Sequence, residues 1–270
     1  MERKLIALDL DGTTLNNRSQ ITTRTAEVLT KLRKNGHIVS IATGRPFRNS
    51  KHYYSQLKMD TPIVNFNGAL CHKPVDSTWE KQYHKTLNRD IAVDLAKLKG
   101  QPGILMIAAE TKDAVYVTDS FVPYGDYFPN GHKDTRILSE ENLQENPTSV
   151  SIFTTSKEAQ PFIQERLVAT YGDDIEVRTW GGNTPCLEVV AAGVQKALGV
   201  EQISFYYGID RKNILAFGDE DNDYEMIQYA GHGVAMLNGI DALKNIASDM
   251  TYKTNEEDGL ADYLEKYFKL

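Results

Sequence analysis

Apolar runs of strand length alternate with helical segments at both ends of the chain. Lys4–Leu8, His37–Ala42 and Pro62–Phe66 have the composition of strands. The helix after the first of them is expected to be capped by Thr22 or Thr23 and to end at Asn35-Gly36. The same alternation returns in the last quarter of the sequence. Strand, helix and strand in this order predict a parallel sheet with helices packed on it.

The middle of the chain has a different pattern, in which short strands follow one another through tight turns. The segments predicted there are the strands Ile104–Ala109, Ala114–Thr118, Ser149–Thr154, Ile175–Trp180 and Cys186–Val190 and the helices Asp90–Lys99 and Lys157–Tyr171. Adjacent strands joined by turns indicate an antiparallel sheet with helices on one face. The predicted fold class is therefore α/β, with a Rossmann-like parallel-sheet core of residues 1–83 and 191–270 and an inserted α+β domain of residues 84–190.

Composition and charge exclude several functional classes. The 270 residues include 30 Lys and Arg against 37 Asp and Glu, for a net charge of −7, so a nucleic-acid or anionic-membrane surface is not expected. Cys71 and Cys186 lack the spacing of a zinc site or a disulfide framework, which favours a reducing cytoplasm. We also expect neither a signal peptide nor a membrane span. Composition leaves the oligomeric state open.

Polar side chains follow the predicted core strands where those strands end. Asp9 and Asp11 follow the first strand, the Thr43-Gly44 pair follows the second, and residues 218–223 follow a later one. Lys196 stands in the first turn of the helix that leads back into the core. Ligands of open parallel sheets bind beyond the carboxyl ends of the strands, so these groups are expected to form one site.

Such a site combines several carboxylates with one ammonium and several loop amides. Carboxylates gathered together need a cation, and Mg²⁺ suits an all-oxygen site, with Asp9 and Asp219 as the natural ligands. A metal, Lys196 and loop N–H groups together favour phosphate as the bound anion. Asp9 is then the candidate nucleophile, and Asp11 is the candidate proton donor to the leaving oxygen.

Each piece has a simpler explanation when it is taken alone. An Asp-x-Asp-Gly sequence is a common turn, Thr43-Gly44 could start a helix, and Lys196 could be an ordinary solvated lysine. The acidic residues 219–223 could complement the positive end of the helix that follows them. Their joint occurrence, each at a strand end or a helix start, favours the functional interpretation.

In this arrangement the sequence resembles the haloacid dehalogenase superfamily, and within it the Cof-type phosphatases with a C2B cap. The resemblance rests on Asp9-Leu10-Asp11-Gly12-Thr13, Thr43-Gly44-Arg45-Pro46, Asn67-Gly68-Ala69, Lys196, Gly218-Asp219-Glu220-Asp221-Asn222-Asp223, Gly233-Val234-Ala235-Met236 and Asn255-Glu256-Glu257-Asp258-Gly259. These pieces cover the whole chain in the family's order. The resemblance implies a Mg²⁺-dependent phosphatase of small phosphorylated metabolites, commonly sugar phosphates, that works through an aspartyl phosphate.

The resemblance also implies a role for each matching residue. Asp9 would be the nucleophile and a metal ligand, Asp11 would be the acid/base and bind metal through its backbone oxygen, and Asp219 would be the third metal ligand. Glu220 and Asp223 would support the metal. The expected phosphate ligands are the Leu10 amide, Thr43, the Gly44 amide, Lys196 and Asn222. Arg45 occupies a position that faces the cap or the substrate in relatives.

The inserted domain is expected to determine substrate specificity, since the core supplies only phosphate and metal ligands. Its Gly-rich polar turn at residues 181–184 is a candidate for contacting the substrate, with Asn183 as the candidate residue. The insertion after Thr43 leaves a phosphomannomutase-like mutase as an alternative, because such mutases share this cap. A non-catalytic binding module on the same fold is a third possibility.

Overall fold

The computed structural model describes residues 2–119, 135–180 and 184–270. The chain divides into two compact units, the first formed by Met1–Tyr83 and Gln195–Leu270 and the second by His84–Val194. The strands are β1 (Leu5–Leu8), β2 (Ile38–Ile41), β3 (Ile63–Asn65), β4 (Leu70–His72), β5 (Tyr83–His84), β6 (Ile104–Glu110), β7 (Val115–Val117), β8 (Thr135–Ile137), β9 (Ser149–Thr154), β10 (Ile175–Thr179), β11 (Cys186–Ala191), β12 (Ile214–Gly218), β13 (His232–Ala235) and β14 (Asp249–Met250). The α-helices are α1 (Thr23–Lys34), α2 (Phe47–Gln56), α3 (Arg89–Ala96), α4 (Gln160–Tyr171), α5 (Lys196–Tyr207), α6 (Tyr224–Tyr229), α7 (Asp241–Ile246) and α8 (Gly259–Phe268).

A five-stranded parallel sheet forms the centre of the first unit, in the order β14-β13-β12-β1-β2. Its strands β1, β2 and β12 are buried and almost entirely apolar because both faces of the sheet are covered there. Ile6 and Leu8 pack into the cluster that includes α1 and α8, while Leu5 and Ala7 pack into the cluster that includes α5 and α6. The chain leaves β1 towards β2 and later returns on the other side of β1 at β12. The carboxyl ends of β1 and β12 therefore adjoin at a topological switch point.

Helix α1 shows how local sequence sets an element that covers this sheet. The Thr22 side chain accepts a hydrogen bond from the Thr25 amide at 3.1 Å, and Asn35 ends the helix. Leu29 and Leu32 are buried on one face, as their helical spacing predicts. The predicted start and end of this helix are confirmed.

The predicted third parallel strand is present, but it belongs to a different sheet. β3 pairs antiparallel with β4, and a single parallel bridge from Ala42 to Val64 joins it to the end of β2. The reversal is made by Phe66, Asn67 and Gly68, which all have positive φ values. Three consecutive left-handed residues turn the backbone sharply, so the chain folds back on β3 instead of entering a helix.

The second unit is built on a six-stranded sheet in the order β10-β11-β9-β6-β7-β8. All neighbouring strands are antiparallel except β7 and β8, which are parallel. Side chains of α3 and α4, among them Leu95 and Ile163, pack with Ile107, Ile152 and Leu187 of the strands. An antiparallel sheet with helices on one face is confirmed for this part of the chain. Residue 191, where the sequence predicts the return to the core, is the last residue of β11, and the division between the units falls after Val194.

The helices given above lie within the described ranges 2–119, 135–180 and 184–270. Each of them is too short or too polar to cross a bilayer.

Candidate active site

The turn after β1 brings two carboxylates to the end of the sheet. Asp9 is buried, and residues Leu10–Thr14 form one wide turn that is closed by a 2.8 Å hydrogen bond from the Leu15 amide to the Leu10 carbonyl. Gly12 has a φ of 71°, and a Cβ at this position would lie 2.0 Å from Asp219 Oδ2. Glycine is therefore required where the turn passes the next carboxylate.

The turn after β12 is organised around Asp223. Its Oδ2 accepts hydrogen bonds from the Asp219 amide at 3.0 Å and from the Glu220 amide at 3.3 Å. The Glu220 side chain caps the short turn of Asp221–Asp223, so it supports the loop from outside the carboxylate cluster. A Cβ on Gly218 would lie 2.4 Å from Asp223 Cγ, which explains the glycine at the end of the strand.

Three carboxylates and one ammonium meet between these two turns. Oxygen atoms of Asp9, Asp219 and Asp223 lie within 4.8 Å of one another, and all three residues are buried. Lys196 is fully buried in the first turn of α5, and its Nζ lies 2.7 Å from both Asp9 Oδ1 and Asp223 Oδ1. Thr13 donates its hydroxyl proton to Asp219 Oδ1 at 3.0 Å.

With all three carboxylates ionised, the negative charge of this cluster would exceed its positive charge. Burial raises the pKa of Asp9 to about 8, although Lys196 opposes the shift, and burial together with Asp9 and Asp223 raises the pKa of Asp219 to about 9. Burial disfavours the Lys196 ammonium, but Asp223 and Asp9 outweigh it and hold the pKa of Lys196 above its usual range. The cluster thus has an oxygen-lined position where a further cation would be favourable.

The turn after β2 adds a hydroxyl and amide groups. Thr43 is fully buried, and its Oγ1 accepts a 3.1 Å hydrogen bond from the Arg45 amide. A Cβ on Gly44 would lie 3.0 Å from Asn67 Oδ1, and the same Oδ1 accepts a 3.0 Å hydrogen bond from Asn222 Nδ2. Asn67 therefore joins the Thr43-Gly44 turn to the loop that carries Asn222. Sequence reasoning gave Asn67 no role, although Asn67-Gly68-Ala69 is one of the pieces on which the family resemblance rests.

Asp11 and Arg45 form an ion pair at the exposed side of the turn. Arg45 Nε lies 2.7 Å from Asp11 Oδ2, and Arg45 Nη2 lies 2.6 Å from Asp11 Oδ1. The Asp11 side chain is 56% exposed, in contrast to the buried cluster. Arg45, which relatives led us to expect facing the cap or the substrate, is thus bound to the predicted acid/base.

Two asparagines from the C-terminal part of the chain hold the β1 turn. Asn238 Nδ2 donates to the Gly12 carbonyl at 2.8 Å, and Asn255 Nδ2 donates to the Leu15 carbonyl at 2.9 Å. The Asn255 amide also donates to Asn238 Oδ1 at 2.9 Å, which links the two. Sequence reasoning missed Asn238 altogether.

Two predicted site residues remain. Leu10 is fully buried between Asp9 and Asp11, so its amide is positioned by the same turn. Asn183, the predicted specificity residue, lies outside the described residues.

Carboxylates and a buried lysine beyond the switch point of a parallel sheet define an enzyme site suited to phosphate esters. A family model for haloacid dehalogenase-like hydrolases matches residues 6–264. The chain belongs to this family and is a phosphatase, as the sequence predicts.

Individual relatives agree with this assignment over their whole length. The 5-amino-6-(5-phospho-D-ribitylamino)uracil phosphatase YitU of Bacillus subtilis strain 168 is 42% identical over 273 residues, covering 100% of both chains. The structure of a haloacid dehalogenase-like hydrolase from Bacteroides thetaiotaomicron is 26% identical with a TM-score of 0.81, covering 99% of this chain and 100% of that one. A sugar phosphatase of class IIB shares the fold, with 23% identity, a TM-score of 0.80 and coverage of 98% and 99%.

Proposed function

We propose that this chain is a Mg²⁺-dependent phosphatase that hydrolyses a small phosphorylated metabolite carrying a sugar or sugar-alcohol phosphate. The observation that carries the proposal is the contact of the buried Lys196 with Asp9 and Asp223, with Asp219 beside them. This contact gives the site one fixed cation near the nucleophile and an excess of carboxylate. The site therefore suits a dianionic phosphate only when a second cation is present.

The donor set fits Mg²⁺. All candidate ligands are oxygen atoms, and the raised pKa values of Asp9 and Asp219 follow from buried negative charge that a divalent ion would compensate. Asp9, Asp219 and the backbone oxygen of Asp11 would hold the ion. Asp223 suits a supporting role, since Lys196 and two loop amides already engage its carboxylate. When bound, Mg²⁺ offsets the charge of the phosphate oxygens.

The chain's own residues account for the chemical steps. Asp9 attacks phosphorus and forms an aspartyl phosphate as the bond to the leaving oxygen breaks. Asp11 donates a proton to that oxygen, and it then accepts a proton from the water that hydrolyses the intermediate. Lys196 holds the Asp9 carboxylate in place and neutralises charge. Thr43, Asn222 and the amides of Leu10 and Gly44 bind the phosphate oxygens.

We assign substrate choice to the second unit and retain Asn183 as its candidate contact. The substrate named for the 42% identical relative, 5-amino-6-(5-phospho-D-ribitylamino)uracil, is the first compound to test, because that similarity covers both chains completely. It carries its phosphate on a ribityl chain, which is a sugar-alcohol phosphate. The free, buried thiols of Cys71 and Cys186 support a reducing, cytoplasmic setting.

The experiment measures inorganic phosphate released from this compound, from hexose 1-phosphates and from p-nitrophenyl phosphate, with EDTA and with added Mg²⁺. We expect release only with Mg²⁺ and none from the Asp9→Asn variant. Release that EDTA does not affect would contradict the metal assignment, and no release from any ester would contradict the proposal.

The mutase alternative is tested with glucose or mannose 1-phosphate, Mg²⁺ and a trace of the corresponding bisphosphate. A phosphatase releases inorganic phosphate, whereas a mutase transfers the phosphoryl group back to the sugar. Hexose 6-phosphate that accumulates faster than inorganic phosphate would favour the mutase.

A further inference from the structure

The Arg45 guanidinium donates hydrogen bonds to both carboxylate oxygen atoms of Asp11. Its Nε and Nη2 donate to Oδ2 and Oδ1 at 2.7 and 2.6 Å, which is the parallel, two-bond geometry that only arginine provides. Two bonds fix the plane of a carboxylate, whereas one bond leaves it free to rotate. The Asp11 carboxylate therefore has a defined orientation although it is more than half exposed.

Arg45 is itself held at three points. Its amide donates to Thr43 Oγ1 at 3.1 Å, and its carbonyl accepts from Asn65 Nδ2 at 2.7 Å. Its guanidinium carbon lies 5.6 Å from the centre of the Tyr53 ring, and the Tyr53 hydroxyl donates to the Ser19 carbonyl at 2.7 Å. Backbone and side chain are both anchored, so Arg45 is a rigid support for its partner.

Asp11 would otherwise have considerable freedom. It lies in the wide Leu10–Thr14 turn, next to Gly12 with its positive φ, and its side chain is more than half exposed. A proton donor must be aimed at the leaving oxygen, because proton transfer depends strongly on hydrogen-bond geometry. A side chain in such an exposed turn needs a second residue to aim it.

We propose that Arg45 is a positioning residue that aims the Asp11 carboxylate for proton transfer, with Tyr53 as its platform. This inference rests on the proposed function, in which Asp11 is the acid/base. In this inference Arg45 orients the Asp11 carboxylate and does not bind the substrate.

The test compares an ester with a poor leaving group, ribitol 5-phosphate, with p-nitrophenyl phosphate, whose leaving group departs without a proton. We expect Arg45→Ala to lower kcat for the ribityl ester about 10-fold more than for the aryl ester, which is part of the roughly 10²–10⁴-fold typical of acid catalysis. Arg45→Lys keeps the charge but cannot form both hydrogen bonds to the carboxylate. Its ratio of kcat for the ribityl ester to kcat for the aryl ester should therefore resemble that of Arg45→Ala. Lys51→Ala, which removes an exposed cation from helix α2, just after Arg45 in the sequence, is the control.

A double-mutant cycle shows whether Arg45 acts through Asp11. In an Asp11→Asn background, Arg45→Ala should produce no further selective loss, because the carboxylate it positions is gone. Equal selective losses in both backgrounds, a wild-type ratio for Arg45→Lys, or a rise in KM for both esters would overturn the inference. Crystal structures give a readout besides activity: one Asp11 orientation is expected in the wild type and several in Arg45→Ala, and a single unchanged orientation in the variant would also overturn it.

The two proposals fail differently in this experiment. A wild-type enzyme that hydrolyses neither these two esters nor 5-amino-6-(5-phospho-D-ribitylamino)uracil contradicts the proposed function, and the role of Arg45 falls with it. An active wild type with additive losses in the cycle contradicts only the role of Arg45.

Discussion

Lys196 Nζ lies 2.7 Å from Asp9 Oδ1, and both side chains are almost completely buried. The pair joins the turn after β1 to the first turn of α5, two segments far apart in sequence. Its attraction offsets the burial of both charges only while both partners are present. Changes to either residue therefore bear on stability as well as on chemistry.

Replacing Lys196 by methionine is expected to destabilise the protein by about 3–5 kcal/mol at pH 8, the usual cost of breaking a buried pair. The loss should be larger at pH 9.5. The wild-type Asp9, with a pKa of about 8, is ionised there and paired with the ammonium, whereas the buried Asp9 of the variant still holds a proton that the unfolded chain has lost. Urea unfolding at both pH values measures this. Lys212→Met, which removes an exposed pair with Asp210, should cost less than about 1 kcal/mol; equal effects of the two variants would contradict the prediction.

Magnesium should bind more tightly as the pH rises from 6.5 to about 9. Burial raises the pKa of Asp9 to about 8 and that of Asp219 to about 9, so without the ion both carboxyls hold protons near neutrality. Binding of Mg²⁺ releases those protons. The affinity for Mg²⁺ should therefore increase up to about tenfold per pH unit for each proton released. Calorimetric titration measures the dissociation constant. Asp219→Asn should weaken binding and Asp221→Asn, at an exposed neighbour, should not; an affinity independent of pH would be incompatible with this account.

Asn67 is expected to control phosphate affinity through Asn222. Asn67→Gly tolerates the positive φ at this position but removes the oxygen that accepts from Asn222 Nδ2, whereas Asn67→Asp keeps an acceptor. Loss of one hydrogen bond of about 1 kcal/mol should raise the inhibition constant of inorganic phosphate roughly fivefold in the glycine variant. Product-inhibition kinetics measure it. If the glycine and aspartate variants behave alike, the Asn67 oxygen does not orient Asn222.

Gly199→Ala should destabilise the protein, although alanine normally favours a helix. A Cβ on Gly199 would lie 2.3 Å from Val64 Cγ2, so the helix that begins with Lys196 would be pushed away from β3. The cost of such overpacking is about 1–3 kcal/mol. Thermal unfolding of the single variants and of Gly199→Ala/Val64→Ala measures it. The double variant should be more stable than the sum of the two single losses predicts, and simple additivity would refute the packing explanation.

Local signals were sufficient for elements whose ends are set by nearby residues. The hydroxyl of Thr22 starts α1 and Asn35 ends it, as their chemistry predicts. The partner of β3 could not be predicted in this way, because pairing depends on the left-handed backbone of Phe66, a residue type that rarely adopts it. A strand's composition indicates that it is buried, but not which strand lies beside it.

The candidate site shows the same division. Asp9 and Asp219 could be predicted because they follow apolar strands, and the parallel sheet brings their ends together. The contact of Asn238 with the β1 turn could not be predicted, because an uncharged amide side chain has no distinctive sequence pattern. The ion pair of Arg45 with Asp11 could not be predicted either, because its two residues have no characteristic spacing in the sequence. The carboxylates of the site could thus be predicted from the sequence, whereas the contacts that orient them could not.

The position of β1 between β2 and β12 has a consequence for synthesis on the ribosome. β1 emerges early, but one of its edges stays unpaired until Ile214–Gly218 has been translated. The second unit, His84–Val194, is continuous in sequence, so its strands find their partners within one stretch of nascent chain. The inserted unit can thus fold first, while one edge of the apolar Leu5–Leu8 strand stays unpaired, and unpaired apolar edges are prone to aggregate during folding.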